Sequence, residues 1–579
     1  MHVSRIVRKH TNADGVVKEY VSHVLRRTYR DQGKVRNENL ANLSALPPPA
    51  IAALRAVLAG KELVSAGEAM SVTRSRPHGH VAAITTQARA LGLPGLLGPP
   101  GRARDLAFAL IAARVARPAS KLATTRWWAD TTLADDLGVA DATTDEVYAA
   151  MDWLAERQDA IEARLAARHL NTEVNPHRLA LFDLSSSWMT GTHCPLAAYG
   201  YSRDGKKGLP QIEYGLLTDP TGRPVAVKVF PGNTADPAAF TAITSHIRDT
   251  FGIGEMVMVG DRGMITSARI GALKELGGYG WVTALRAPQI AALAADDGPL
   301  QMSLFDEANL AEITHPDYPG ERLIACRNPA LATERARKRA ALLAATDTHL
   351  NAITTAVAAG RLTSAGKIGI RVGKVIGKHK MGKHYTITIT DTSFTFTRNP
   401  DTIAAEAALD GVYLIRTTVT AQAMTASQVV ATYKSLAGVE RDFRSLKSID
   451  LDLRPIHHYT ETRVRAHVFI CMLAAYLVWH LRQAWKPLTF TDENPPQPAD
   501  PVAPAKRSPA AQRKAATRTT TSGAPAHSFT SLLDHLATLT RNTIQITGDT
   551  AFELLADPTP TQRQAFELLN KPIPLTLAK

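Results

Sequence analysis

Three carboxylates occupy positions where an acidic side chain needs a chemical partner. Asp183 interrupts the apolar stretch RLALFDLSSSW, Asp261 ends the apolar stretch EMVMVGDRG, and Glu440 lies among cations in YKSLAGVERDFRSLK. An ionised carboxylate in an apolar strand has to be paired, neutralised or bound to metal. Carboxylate oxygens suit hard divalent ions, and two ions about 4 Å apart can activate water or a 3′-hydroxyl for attack at phosphorus. The three residues are therefore candidate ligands of two Mg²⁺ ions.

The spacing around Glu440 indicates a helix with a cationic face. Tyr433, Glu440 and Lys447 are seven residues apart. Seven residues turn a helix by about 700°, so we expect all three on one face, with Arg444 close by. One interpretation is a solvated helix with i,i+4 ion pairs. The other is a metal ligand surrounded by groups that hold phosphate.

An alternation of strands and helices would bring the carboxylates together. From residue 176, three β segments are followed by the order α, β, α, β, which predicts an antiparallel meander joined to parallel strands. Asp261 comes at the C-terminal end of its strand, where α/β sheets bind ligands. Residues 286–410 interrupt this order with a charged helix and a basic β-rich piece. The segment 411–418, GVYLIRTT, then predicts a strand that returns to the main sheet.

The regions that flank this core differ in composition and in predicted secondary structure. Residues 1–37 are basic and strand-like, which fits either a DNA-contacting arm or a plain β-hairpin, and residues 50–170 are Ala-rich and helical. The apolar run 468–479 is too short to span a bilayer and predicts a buried helix. Residues 486–527 are rich in Pro, Ala and Thr, which predicts a flexible basic linker before a short helical tail.

Composition narrows the class of partner. The net charge of +14 favours a polyanionic partner, with nucleic acid ahead of an anionic membrane. The three cysteines lie far apart, so they form no zinc motif, and their scarcity suits a reducing cytosol. The first ten residues, MHVSRIVRKH, lack the apolar region of a signal peptide. We expect a cytoplasmic, nucleoid-associated protein without membrane residence.

Several other polar residues favour a structural interpretation. Asp204, Asp219 and Asp236 lie in RDGKKG, TDPTG and TADP, which are typical of turns and helix caps. His457 and His458 are adjacent, so their side chains diverge, which favours surface or phosphate contact over a metal pair. Phosphate contact or solvated charge are the alternatives for Arg454, Arg463 and Arg465.

Taken in order, these segments resemble bacterial insertion-sequence DDE transposases of the IS-four-like group. The resemblance covers about 176–482 and is closest to the branch with a Tyr–Arg–Glu–Lys helix and a β-rich insertion in its ribonuclease-H-like core. Its landmarks are FDLSSSW, LPQIEYGLL, FPGNTADPAAF, MVGDRGMIT, YKSLAGVERDFRSLK and LRPIHHYTETRVRAHVFICMLAAYL. The implied fold class is α/β, with a ribonuclease-H-like mixed sheet core interrupted by the insertion and an N-terminal, mainly helical DNA-binding region.

The resemblance also implies roles for individual residues. Asp183, Asp261 and Glu440 would be the catalytic and metal-binding triad, holding two Mg²⁺ ions per active site with Mn²⁺ as a substitute. Tyr433 and Lys447 match the helix motif and would contact phosphates at the ends of the element.

The motif is incomplete at one position. The family's Arg falls at Leu436 here, and Arg441 or Arg444 are candidates to take its place. Arg262, which follows the second acid, is a further candidate for phosphate contact.

The function implied is transposition of an insertion sequence by a cut-and-paste route. The chain would bind the terminal inverted repeats of its own element and target DNA as double-stranded partners, act as a homodimer on DNA, and catalyse metal-dependent cleavage and strand transfer. The alternatives are a metal-dependent DNA nuclease without strand transfer and a catalytically inactive DNA-binding relative.

The expected domain boundaries follow the changes in composition and hydrophobic pattern along the chain. They are 1–175 for a basic arm and helical DNA-binding region, 176–285 for the first part of the core, 286–410 for the insertion, 411–485 for the second part of the core with the catalytic helix, 486–527 for the linker and 528–579 for the helical tail.

Overall fold

The computed structural model describes the chain except for residues 13–14, 62–69, 173–174, 192, 296–297, 497–499, 501, 504, 547–549 and 578–579. The chain divides into two compact units. The first contains residues 1–75 and 541–556, and the second contains residues 76–540 and 557–579.

Strands and helices are numbered in chain order. The strands are β1 (His2–Thr11), β2 (Val17–Asp31), β3 (Lys34–Asn42), β4 (Met70–Pro77), β5 (Leu179–Trp188), β6 (Gln211–Thr218), β7 (Pro224–Pro231), β8 (Met256–Val259), β9 (Tyr279–Ala284), β10 (Leu310–Ile313), β11 (Arg322–Arg327), β12 (Tyr385–Ile389), β13 (Phe394–Arg398), β14 (Val412–Thr417), β15 (Thr540–Ile546) and β16 (Thr550–Leu555). The helices are α1 (Pro48–Leu58), α2 (Gly79–Ala90), α3 (Leu93–Leu97), α4 (Arg102–Ala116), α5 (Lys121–Ala129), α6 (Leu133–Leu137), α7 (Thr144–Ala155), α8 (Gln158–His169), α9 (Asp236–Asp249), α10 (Ser267–Leu276), α11 (Ala287–Leu293), α12 (Pro329–Ala358), α13 (Ala365–His379), α14 (Pro400–Ala408), α15 (Ala426–Lys434), α16 (Leu436–Arg444), α17 (Glu461–Ala484), α18 (Pro509–Thr517), α19 (Phe529–Ala537) and α20 (Pro560–Glu567).

The first unit contains two small antiparallel sheets and α1. One sheet has the order β1-β2-β3, and the predicted basic strand is β2. The other has the order β16-β15-β4. The prediction of a purely helical tail over 528–579 is therefore wrong. The sequence TRNTIQI of β15 alternates β-branched and polar residues, and pairing with β16 satisfies its backbone groups.

The second unit is organised on a mixed eight-stranded sheet with the order β10-β11-β14-β9-β8-β5-β6-β7. β5, β6 and β7 form an antiparallel meander, whereas β5, β8 and β9 run parallel to one another. β14 pairs antiparallel with β9. The predicted meander, parallel strands and returning strand are all confirmed, and the chain has the expected mixed α/β architecture.

β5 is the central strand that carries Asp183. Nearly all of its side chains are buried, because β6 and β8 cover both of its edges. Gly215 of β6 lies beside it, and a Cβ atom there would stand 2.3 Å from the ring of Phe182. Glycine at this position lets the Phe182 ring pack against the backbone of the neighbouring strand. The residue that precedes Asp183 is thereby held in place.

Helices cover this sheet. The predicted Ala-rich helical region is confirmed as α2 to α8. The predicted buried helix is part of α17, which packs against α4, α7 and β7. By length and composition α17 could cross a membrane, yet 83% of its most apolar window is buried inside the fold. A helix that is apolar on all sides belongs to the core of a large protein when other elements surround it.

The insertion is shorter and more helical than the sequence predicts. β10 and β11 belong to the main sheet, because β11 pairs with β14. The interruption therefore begins at α12, after residue 327. Residues 365–379, predicted as β-rich, form α13, and only β12 and β13 make a hairpin. Ile368 and Val372 explain the helix, because they are four residues apart and both are buried in a separate small core with α12 and the hairpin.

The predicted flexible linker over 486–527 contains an ordered helix. α18 begins after Ser508, whose side chain accepts a hydrogen bond from the Ala511 N–H. Lys514 is 4% exposed, and its ammonium group donates to the carbonyls of Lys486 and Thr489 and to Glu493. These contacts tie the segment to the end of α17. Positions 497–499, 501 and 504 of the predicted linker lie outside the described residues.

Candidate active site

Asp183 and Asp261 occupy equivalent positions on neighbouring parallel strands. The last paired residues of β5 and β8 are Leu181 and Val259, and each aspartate lies two residues further along its strand. Neighbouring strands are about 4.8 Å apart, so this register places the two carboxylates side by side, beyond the paired part of β5 and β8. The predicted approach of Asp183 and Asp261 therefore has a direct cause in strand register.

Local hydrogen bonds orient both aspartates. The backbone N–H of Leu184 donates to Asp183 Oδ1 over 2.8 Å. Asp261 Oδ1 accepts the backbone N–H groups of Gly263 and Met264 at 2.9 and 2.8 Å. Asp183 is half-buried, whereas Asp261 is exposed. Each side chain is thus held by its own backbone turn at the mouth of a cleft.

Glu440 comes from a helix that differs from the one predicted. The single helix expected over 433–447 is interrupted at Ser435, between α15 and α16, and a wide π-helical turn covers Ser445–Ile449. The Ser435 hydroxyl donates to the carbonyl of Thr432, and Gly438 follows three residues later, a combination that favours a kink. Tyr433, Glu440 and Lys447 therefore lie on three different segments, and the prediction of one shared face is wrong for Lys447, which is buried whereas Glu440 is exposed.

α16 is nevertheless fixed on the sheet beneath it. Val439 and Phe443 are buried, and the Phe443 ring meets the Tyr214 ring of β6 edge-on, with centroids 5.7 Å apart. Glu440 follows Val439 and is exposed. The apolar face of α16 thus packs on the core while its carboxylate faces outward.

The three carboxylates act on one another electrostatically. Burial and the negative charges of Asp261 and Glu440 together raise the pKa of Asp183 to about 7, against the opposing effects of the Leu184 N–H hydrogen bond and of Arg203. Burial also raises the pKa of Tyr433 to about 12, and Asp261 and Glu440 act in the same direction. The negative charges of Asp261 and Glu440 therefore disfavour ionisation of both Asp183 and Tyr433.

Three further residues share the cleft and were not predicted to have a function. A cavity of about 470 Å³ is lined by Asp183 and Asp261 together with Arg203, Glu213 and Asp236, and we call these five residues the carboxylate cleft. Arg203 pairs with Asp236 over 2.5 Å and with Glu213 over 3.4 Å. Burial raises the pKa of Glu213 to about 7, with Asp236 adding to the effect and Arg203 opposing it.

The sequence signal for these residues was weak. Asp236 was interpreted as a cap and is the first residue of α9, with Ala235 at the N-cap. Glu213 is 3% exposed on β6, inside a segment that reads simply as a strand. An acid within an apolar strand was the signal that singled out Asp183, and applying it to Glu213 would have found a second one.

The predicted DNA-contacting cations fall into two groups. Arg262, Arg441 and Arg444 are exposed, and Arg262 lines a small cavity together with Tyr433. Lys447 is 8% exposed, and its ammonium group donates to Asp204 Oδ1 over 2.7 Å.

The partner of Lys447 is itself buried in a network. The same Asp204 oxygen also lies 2.5 Å from Arg454. The structural interpretation of Asp204 is therefore correct, because its carboxylate ties the turn after α16 to the loop before α17. In this conformation Lys447 belongs to that buried network rather than to the solvent-facing surface.

A separate cluster has the composition of a metal site. Among the described residues, the one group of three such side chains with ligand atoms within 4.8 Å of one another is Asp159, Glu162 and His246, and the predicted triad is not drawn together to that extent. Glu162 accepts hydrogen bonds from Gln158, from the Val227 N–H and from His246. These bonds satisfy both of its oxygens with protein donors. The sequence offered no spacing that would have joined α8 to α9 here.

Comparison with protein families agrees with this architecture. Residues 176–477, more than half of the chain, match the model described as transposase DDE domain. The chain belongs to the DDE transposase family. Residues 6–69 match the IS1634 family transposase N-terminal domain, so the protein is a transposase of an insertion sequence. No curated protein matches the chain.

Family membership establishes the class of chemistry. DDE transposases are metal-dependent enzymes that cleave DNA and transfer strands, so the predicted enzyme class and the resemblance to insertion-sequence DDE transposases are confirmed, whereas the IS-four-like group stays a prediction. The transposase acts on DNA, as the charge of +14 indicated. The matched N-terminal segment ends at residue 69, before the helical region that begins at α2.

Proposed function

We propose that Asp183, Asp261 and Glu440 form the catalytic triad of this transposase on a ribonuclease-H-like core. The strand order β7-β6-β5-β8-β9, with the first three antiparallel and the last three parallel, supports that core. The observation that carries the proposal is the strand register, which brings Asp183 and Asp261 to the same end of two neighbouring parallel strands, where both line one cavity. The negative charge of Glu440 contributes to raising the pKa of Asp183, which supports including this residue of α16 in the triad.

The donor set fits Mg²⁺, with Mn²⁺ as a substitute and two ions per active site. Asp183, Asp261 and Glu440 offer the oxygen ligands that hard divalent cations prefer. Crowded carboxylates at a site where burial already disfavours charge are stabilised when a cation is added. When bound, the ions supply Lewis-acid stabilisation and an activated oxygen nucleophile. The chain's own residues supply the ligands, their orientation and the surrounding charge.

Cations around the triad would hold the DNA. Arg262, Arg441 and Arg444 are exposed and positioned to meet phosphates, and Tyr433 shares a cavity with Arg262. Lys447 acts differently in our proposal. Its buried pairing with Asp204 holds the end of α16, and so positions Glu440.

We further propose that the substrates are the terminal inverted repeats of the enzyme's own element and a target duplex. The route would be cut-and-paste, with cleavage at the ends followed by strand transfer. Two ends must be joined to one target, which favours a homodimer on DNA. The chain would work in the cytoplasm, associated with the nucleoid.

Cleavage of a labelled duplex that carries the element's own end, with Mg²⁺, tests the proposal. Wild type should cut and join, whereas Glu440→Gln should bind the duplex and do neither, because the change removes the charge and keeps nearly the same shape. Glu275→Gln is the matched control, since Glu275 is an exposed residue of α10 outside the cleft. Equal cutting by wild type and Glu440→Gln would remove Glu440 from the site. Cut but never joined products would instead support a nuclease without strand transfer.

A further inference from the structure

The second unit contains another charged cavity, and its lining is cationic. The cavity measures about 390 Å³ and lies between the loop before α5, the loop before α17 and α17 itself. We call it the cation pocket and define it by Arg114, Lys121, Arg454, His457, His458 and His467. Asp452, its acidic lining residue, is exposed.

Lys121 is the central feature of the cation pocket. Its side chain is 5% exposed, and its ammonium nitrogen lies 3.2 Å from His467 Nδ1. His467 Nε2 lies 3.1 Å from the carbonyl oxygen of Leu453, which fixes the proton on Nε2 and leaves Nδ1 as the acceptor. The buried ammonium group of Lys121 therefore donates a hydrogen bond to the neutral imidazole of His467.

The surrounding charges do not neutralise Lys121. Within the described part of the chain, neither Lys121 nor Arg114 forms an ion pair with a carboxylate, and Arg114 donates to the carbonyls of Leu451 and Ala119. Burial and the charge of Arg114 together lower the pKa of Lys121 to about 7, against an opposing effect of Cys471. Burial and the charges of Lys121 and Arg114 lower the pKa of His458 to about 3. The positive character of the cation pocket thus comes from Arg114, Lys121 and Arg454, of which Arg454 is paired with Asp204, whereas His458 and His467 are neutral.

Backbone geometry adds to that potential. Lys121 is the first residue of α5, and Ser120 is its N-cap, with the hydroxyl accepting the Ala123 N–H. Helix N-termini carry partial positive charge and expose N–H groups, which together favour phosphate. Simple packing would favour an apolar residue at position 121, because buried charge without a partner is destabilising. A lysine beside an open cavity at a helix N-terminus is better explained by an anionic ligand.

We propose that the cation pocket binds a backbone phosphate of the DNA on which the transposase acts. This inference rests on the proposed function, because it adds a phosphate contact to the same reaction. Arg454 connects the two sites, since it lines the cation pocket and shares Asp204 with Lys447 at the end of α16. A phosphate seated here would restore the charge of Lys121 and brace the segment that carries Glu440.

The salt dependence of DNA binding tests this proposal. Binding of an end duplex is measured at several salt concentrations for Lys121→Met and for the matched control Lys571→Met, both in a Glu440→Gln background that does not cut. Lys571 is exposed near the C-terminus and carries the same charge. Lys121→Met should fold at least as well as its parent, because a desolvated ammonium group is removed. Losing one phosphate contact should reduce the slope of log affinity against log salt by about 0.9 and weaken binding about 3- to 10-fold at low salt.

A second measurement distinguishes DNA from free phosphate. Inorganic phosphate is titrated into the same proteins at constant ionic strength, and the heat of binding is recorded. If Lys121→Met reduces the slope of log affinity against log salt and Lys571→Met does not, the result supports binding of a DNA phosphate in the cation pocket. Unchanged slopes overturn it while the proposed function stands, provided that the parent binds the duplex. If the proteins do not bind the duplex but inorganic phosphate binds the parent and not Lys121→Met, both the proposed function and the DNA assignment fail, and the pocket is a free-phosphate site.

Discussion

The carboxylate cleft and the cation pocket each contain an ionisable group whose charged form is disfavoured, an acid in the cleft and a base in the pocket. In the cleft, burial and neighbouring acids raise the pKa of Asp183 to about 7. In the pocket, burial and a neighbouring cation lower the pKa of Lys121 to about 7. Burial disfavours the charged form of either group, and like charges nearby increase the effect. In our proposals a ligand of opposite charge stabilises each site, a divalent cation in the cleft and a phosphate in the pocket.

The two regions differ in how they compensate charge internally. The cleft contains Arg203, which pairs with Asp236 and Glu213 but leaves the metal-ligand candidates without a cation of their own. Among the described residues that line the cation pocket, Asp452 is the one acid, and it is exposed. Between them lies an ion-paired network of Lys447, Asp204 and Arg454, in which both cations contact Asp204 Oδ1. We infer that the paired network stabilises the fold, whereas the triad carboxylates on one side and Lys121 on the other bind ligands.

The largest expected effect is on catalysis in the cleft. Asp183→Asn should reduce DNA cleavage by on the order of 10²–10³-fold, the range for loss of one electrostatic stabiliser of a transition state. The same variant should be more stable than wild type without metal at pH 8, because a buried charge near Asp261 and Glu440 disappears. Cleavage rates and the midpoints of thermal unfolding in chelator check both parts. Full cleavage activity would end the assignment of Asp183.

The next effect concerns the paired network between the two sites. Lys447→Met leaves Asp204 without its closest buried partner and should lower the free energy of unfolding by about 3 kcal/mol. Arg454→Met is the matched variant and should cost less, because Arg454 is more exposed than Lys447. Denaturant titrations of both variants give the comparison. If Lys447→Met were the milder change, the network would not be the structural link between cleft and pocket.

The pH dependence of stability should have opposite signs at the two sites. In metal-free protein, the raised pKa of Asp183 makes the folded state bind more protons, so its contribution to stability is lost as pH rises from about 4 to about 7. The lowered pKa of Lys121 makes the unfolded state bind more protons, so stability is gained as pH rises from about 7 to about 10.

Two variants isolate these contributions. Asp183→Asn should flatten the acidic limb of the stability curve, and Lys121→Met the alkaline limb, each by about 4 kcal/mol across its window. The free energy of unfolding is measured against pH and compared with wild type. The charged groups acting on Asp183 are Asp261, Glu440 and Arg203, and those acting on Lys121 are Arg114 and Cys471. If the pH dependence of the unfolding free energy stayed the same in these variants, Asp183 and Lys121 would not have shifted pKa values in the folded protein.

The smallest effect belongs to an exposed cation beside the cleft. Arg444→Gln should weaken binding of an end duplex by about threefold or less and reduce the salt slope by at most about 0.9. The reason is that an exposed guanidinium is already solvated, whereas Lys121 is desolvated before the ligand arrives. Filter binding at two salt concentrations compares the two variants. A larger loss for Arg444→Gln than for Lys121→Met would place the main phosphate contact at the cleft.

Local patterns predicted much of the core because its elements are defined by neighbouring residues. Strands with continuous apolar character, such as β5 and β8, must be buried on both faces, and their order along the chain dictates the meander and the parallel pair. The same reasoning misjudged α13, because IGIRV alternates like a strand while Ile368 and Val372 also have helical spacing. Packing against α12 decided between the two periods.

The sequence by itself determined the acidic residues, their strands and the class of chemistry. Asp183 and Asp261 stand out because a carboxylate within or directly after a buried strand is costly, and this cost is visible in the residue types alone. The tertiary structure alone decided where the helix around Glu440 kinks, that Lys447 is buried against Asp204, and that Lys121 meets His467. These pairs are 243 and 346 residues apart in the chain, so only the packing of distant elements creates their electrostatic environment.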